Sequence, residues 1–317
     1  MRFLSKKIQI QMINKIVDNE KIPAIIEIFA GFCLVSAIFF LGYDASLAYK
    51  IPLLVVFIAL VGMPHGALDV MMISRLIQQS ESNSHSAVGV NYSYWFRLYG
   101  YYLLYIAVAG LAFGFWLLFP STALILFLIM AVSHFSHDWQ GFGGRLMQIS
   151  LASLVVTAPA CFHADAIAEY FQALFLSDQA ISLIVVSMQS IALSAVLLAL
   201  YASKKLSFSR ILVLVIVGTS AFYLDPLLFF IAYFCSLHSL LHTLSIKDKF
   251  DMSWQQLMYR VLPPMLITLL LMGIVFVLVP FQTVDVQWLR VIFIGLFALS
   301  VPHMLLTWYF QRASRTE

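Results

Sequence analysis

Apolar runs of membrane length follow one another along nearly the whole chain, and that succession limits what it can fold into. A hydrocarbon core of about 30 Å calls for roughly 20 consecutive apolar residues in a helix. Ten runs approach that length, at about 24–43, 51–73, 98–119, 121–138, 145–162, 180–201, 209–224, 226–246, 260–280 and 287–309. Several are short, so eight to ten spans are expected. Lipid offers the backbone no hydrogen-bond partner, so spans of this kind form helices. The expected fold is all-α, a polytopic transmembrane helix bundle forming one domain over residues 24–310.

Composition supports the same solvent. With 62% hydrophobic residues, 10% charged residues and a mean hydropathy of +0.94, the surface could not be that of a soluble domain. The net charge of +3 is spread for topology and not gathered into a basic patch, so no nucleic-acid partner is expected. Residues 1–23 carry five cations and read as a cytoplasmic segment able to lie on the membrane as an interfacial helix. With that segment inside and ten spans crossing, only Lys50 and Arg290 of the 18 Lys and Arg fall on the outer side. The pattern places both termini in the cytoplasm, with 311–317 as a short tail and the inner (cytoplasmic) membrane as location. The longest polar interruption is the loop at about 74–97. Cys33, Cys161 and Cys235 lie far apart in apolar runs and read as buried, inert thiols.

Five histidines interrupt the apolar runs: His65 in PHGALD, His134 in SHFSHD, His238 and His242 in HSLLH, and His303 in VPHM. A histidine inside a membrane segment is costly and needs a partner. Each of the five lies 12 to 16 residues from the outer end of a run crossing in the same direction. At about 1.5 Å per residue this is roughly 18–24 Å, which puts all five in one layer of the cytoplasmic half. His238 and His242 are four residues apart and share a helix face. Asp69 and Asp138 each follow a histidine by four residues. Their expected role is to accept the far N–H of an imidazole, with direct ligation as the alternative. His85 and His163 sit in or beside loops, and His137 can be read either way.

Imidazoles without cysteine suit zinc, copper, iron or nickel, and the spacing does not separate them. No HExxH motif supplies a hydrolytic glutamate. Aromatic residues make up 15% of the chain, compatible with interface belts and with an apolar channel alike.

The four motifs PHGALD, HFSHD, HSLLH and VPHM, in this order, resemble those of the Brp/Blh family of membrane β-carotene dioxygenases, which form retinal for rhodopsins. The likeness runs from the second apolar run to the last and leaves out the first 50 residues. One departure lies in the second motif, where Ser136 stands for the family's usual glycine and His137 adds an imidazole. The resemblance implies an enzyme that uses Fe2+ and O2 to cleave the central double bond of β-carotene into two retinal molecules. It implies His65, His134, His238 and His242 as iron ligands, supported by Asp69, Asp138 and His303, and a functional link to a retinal-binding opsin. Two rival classes remain, a non-enzymatic carotenoid or retinal carrier and a metal or proton transporter.

Overall fold

The computed structural model of the protein describes residues 47–82, 90–140, 142–202, 208–278 and 283–316. The expected N-terminal segment and the run at about 24–43 lie outside them. The described residues are mostly helical, with no strand among them, in this order: α1 (Leu47–Phe57), a π-helical stretch (Ile58–Gly62), α2 (Met63–Ala67), α3 (Asp69–Ser82), α4 (Val90–Leu118), α5 (Pro120–Phe135), α6 (Arg145–Thr157), α7 (Pro159–Phe162), α8 (Ala164–Ala173), α9 (Asp178–Ala202), α10 (Phe208–Tyr223), α11 (Pro226–Ile231), a second π-helical stretch (Ala232–Ser239), α12 (Leu240–Lys249), α13 (Trp254–Leu278) and α14 (Val284–Thr316).

Six of the resulting helices are long and apolar enough to cross a membrane: Lys50–Gln78, Tyr94–Leu118, Asp178–Ala202, Pro226–Lys249, Trp254–Val277 and Val284–Tyr309. Pro120–Phe135, Arg145–Thr157 and Leu214–Tyr223 are shorter apolar helices. Nine of the ten runs read from the sequence therefore have a helix, and three of those are short. The chain is a multi-pass membrane protein. The expected loop at about 74–97 is largely helix, because α3 continues to Ser82 and α4 begins at Val90.

Local chemistry explains the breaks. Asp225 caps α11 by accepting from the Leu227 N–H at 2.9 Å, and Pro226 follows at a position that needs no donor. At the start of α13, Ser253 and Gln256 exchange side-chain and backbone bonds of 2.9 and 3.2 Å in a capping box. α5 ends where the Ser136 hydroxyl takes the Ser133 carbonyl at 2.6 Å, a bond that competes with the helix ladder.

Burial ranks the helices. Pro226–Lys249 has 67% of its apolar window buried inside the protein, against 11% for Tyr94–Leu118 and for Trp254–Val277. The first is the central helix, and the other two turn most of their surface to lipid through residues such as Phe96, Leu103, Leu270 and Val277. One buried cluster joins Ile51, Leu54, Phe135, Trp139, Leu228 and Tyr233, and another joins Trp116, Leu124, Ile181 and Phe297. Lipid tails are as apolar as these side chains, so close packing and polar contacts between helices hold the bundle, with little help from the hydrophobic effect. Of the cysteines expected to be buried, Cys235 is, whereas Cys161 is exposed because the short α7 turns it outward.

Candidate metal centre

Both π-helical stretches lie beside histidines. One ends three residues before His65, and the other contains His238. An extra residue per turn re-aims the side chains that follow, and such bulges often mark functional sites. The stretches meet directly. The Ser239 hydroxyl donates to the Val61 carbonyl, and a Cβ on Gly62 would lie 2.8 Å from the Phe234 ring. Only a glycine leaves room for that approach.

At this crossing the five histidines read from the sequence come together. The His65 ring is central, with centroid distances of 4.2 Å to His242, 4.8 Å to His238, 4.8 Å to His303 and 5.6 Å to His134. His134 lies 4.7 Å from His238 and 5.2 Å from His303. His65, His238 and His303 are buried, and His134 and His242 are partly so. His137 stays out of the cluster. It is exposed, with Nδ1 3.1 Å from the His134 carbonyl. His163 sits between α7 and α8, half-buried, where Nε2 meets the Phe222 carbonyl at 3.0 Å.

The two carboxylates reach histidines on other helices. His238 Nδ1 lies 3.0 and 2.8 Å from the oxygens of Asp138, and the Tyr233 hydroxyl donates to the same carboxylate at 3.0 Å. His303 Nδ1 lies 2.8 and 2.9 Å from those of Asp69, and the Tyr105 hydroxyl donates to it at 2.8 Å. A carboxylate can only accept, so it fixes the proton on Nδ1 and leaves the Nε2 lone pair free. Tyr105 and Tyr233 were not singled out in the sequence, where nothing about their spacing separates them from the other tyrosines.

The cluster holds a set of buried ring nitrogens with no hydrogen-bond partner among the described residues: His65 Nδ1, His134 Nε2, His238 Nε2, His242 Nδ1 and His303 Nε2. Leaving one buried acceptor unsatisfied costs about 1–3 kcal/mol, and five in neighbouring rings would be relieved by a shared cation. One ligand atom each from His65, His134 and His303 lie within 4.8 Å of one another. The donor set fits a divalent transition metal.

His65, His134, His238 and His303 also line a cavity of about 790 Å³. Its other walls are apolar and aromatic, among them Phe127, Tyr102, Phe171, Pro263 and Phe293. His242 does not line it.

Fold and cluster together define a polytopic membrane protein with an imidazole-rich candidate metal centre facing an apolar cavity. Residues 56–310, which include all five histidines, match the sequence model of the β-carotene 15,15′-dioxygenase family, and the chain belongs to that family. A β-carotene 15,15′-dioxygenase of Uncultured marine bacterium 66A03 is 26% identical over 269 residues, covering 80% of this chain and 90% of that protein. No solved structure matches the chain.

Proposed function

We propose that the protein cleaves the central double bond of β-carotene with O2 to give two molecules of retinal, at ferrous iron held by His65, His134, His238 and His242. The observation that carries this reading is the convergence of unpartnered imidazole nitrogens on the wall of a large apolar cavity, in a chain of this family. Both atoms of O2 end as aldehyde oxygens, one on each carbon of the broken double bond, so no further reductant is needed. Bound iron would supply the activation of O2 beside the alkene. Neutral imidazoles suit it, because they leave the metal its full charge and leave coordination positions open.

The chain's own residues do the rest. Asp138 holds the His238 ring in the tautomer whose Nε2 can bind metal, and Asp69 does the same for His303, which in this reading supports the centre. The substrate carries no group to protonate, so no acid or base is required. The cavity must instead hold the polyene with its middle bond at the histidines, and its length and shape select the bond that breaks. Its apolar walls also keep bulk water from the reacting centre.

The reading extends to an N-in, C-in arrangement in the inner membrane, which puts the histidines in the cytoplasmic half, and to delivery of retinal to an opsin. Purified protein should contain stoichiometric iron, bleach β-carotene in detergent under air with retinal as product, and leave β-carotene intact under nitrogen. Apocarotenals of unequal length would defeat the central-bond assignment. An iron-loaded protein that binds β-carotene without turnover would be a carrier.

A further inference from the structure

We infer that His303 is itself a metal ligand, held in place by Asp69 and Tyr105, so that five imidazoles and not four build the centre. This rests on the metal reading above and concerns the histidine to which that reading gives only support. A histidine that merely steadied another ligand would use a ring nitrogen to do so. His303 commits Nδ1 to Asp69, at 2.8 and 2.9 Å, and keeps a buried Nε2 that touches no donor among the described residues. The residue is 5% exposed, so bulk solvent does not reach it. Its ligand atom is grouped with those of His65 and His134 within 4.8 Å, slightly more than two metal–nitrogen bonds of roughly 2.1 Å end to end.

The surroundings of His303 repeat those of His238. On one side Tyr233 donates to Asp138, which holds His238; on the other Tyr105 donates to Asp69, which holds His303. Such carboxylate–histidine pairs are the usual means of orienting a ligating imidazole and raising its basicity. Both rings also face the cavity where the substrate would lie. With five imidazoles holding it, a bound metal would have less room for O2 than with four. Asp69 and Tyr105 are then positioning residues.

Cobalt(II) binding to the full-length, detergent-purified chain tests this without reference to turnover. The wild type is expected to bind one cobalt ion with a defined visible spectrum. His303→Ala should weaken binding and alter the spectrum, with added imidazole restoring it, and Asp69→Asn should weaken binding about 10- to 100-fold. Tyr105→Phe should weaken it less. A His303→Ala chain with wild-type affinity and spectrum would overturn the inference and leave the metal reading standing, whereas a wild type that binds no metal would overturn both. If His303→Ala does not fold, His303→Gln keeps most of the ring's volume and is held to the same outcomes.

Discussion

The molecule places a carboxylate between helices in two different ways. At the histidine centre, Asp69 and Asp138 each accept from one tyrosine and one imidazole. In a second cluster, Asp225 accepts from Tyr170 at 2.9 Å and from Lys50 at 2.6 Å, while also capping α11. Lys50 precedes His65 by 15 residues along one spanning helix and Asp225 precedes His238 by 13 along another, so both helices put the clusters roughly 20 Å apart. The partner makes the difference. An ammonium has only donors, and its pairing with Asp225 closes the cluster; burial and the adjacent carboxylate push the Tyr170 phenol well above its usual range. An imidazole has a second nitrogen, so pairing with a carboxylate leaves a lone pair to be used. One arrangement locks helices, and the other locks helices and leaves an imidazole nitrogen available.

The largest effect that would break this contrast is loss of His65, the ring at the middle of the cluster and a proposed ligand. His65→Ala should reduce bound iron and retinal formation to background while the chain still folds, since the substitution removes a buried ring whose Nδ1 has no hydrogen-bond partner among the described residues. Retained iron in that variant, measured by elemental analysis, would remove His65 from the centre. Asp138→Asn comes next. The amide can offer its oxygen or its N–H to His238 Nδ1, the tautomer is no longer fixed, and metal affinity should fall about 10- to 100-fold. If instead affinity holds and only thermal stability drops, the histidine centre is a structural lock of the same kind as the Lys50 cluster.

Much of this was legible before any coordinates, for a physical reason. In lipid a run of apolar residues has to be a helix, and counting residues along it measures depth, so a common layer for His65, His134, His238, His242 and His303 could be read from offsets alone. Contacts between helices could not. Tyr105 lies 36 residues from Asp69, and Tyr233 lies 95 from Asp138. Depth alone does not set which faces meet, and the π-helical stretches shift those faces without any mark in the sequence. The exceptions in the charge pattern did carry a signal. Lys50 and Arg290 were the two cations expected on the outer side, and both have partners within the protein: Lys50 bonds Asp225, and Arg290 lies 3.9 Å from the Phe175 ring centre and donates to the Ala173 carbonyl. Each has a role in helix packing whichever side of the membrane it lies on.

At the second cluster the expected readout reverses. Asp225→Asn removes the charge facing Lys50, whose side chain is only 16% exposed, and should cost about 3 kcal/mol of stability with iron content unchanged. Adding Lys50→Met should recover most of it, because the stranded charge is then gone while the amide oxygen introduced by Asp225→Asn can still cap α11. A loss of iron in either variant would show that the two clusters are coupled along the helices.

The smallest effect gives the sharpest comparison, since one hydroxyl is deleted from each cluster. Tyr170→Phe removes a donor to Asp225, and Tyr233→Phe removes a donor to Asp138. Each loses a hydrogen bond to a charged group, so each should cost about 1.5 kcal/mol in thermal or denaturant unfolding of the metal-free protein. The two should part only when metal is added. Without the Tyr233 hydroxyl, Asp138 has one fewer donor and its hold on the His238 proton changes, so Tyr233→Phe should shift the visible spectrum of bound cobalt. Tyr170→Phe, acting on a carboxylate whose partner has no lone pair to offer, should leave that spectrum as in the wild type. Equal spectra for the two variants would mean that the tyrosine beside Asp138 serves packing alone, and that the likeness between the two clusters is closer than their partners imply.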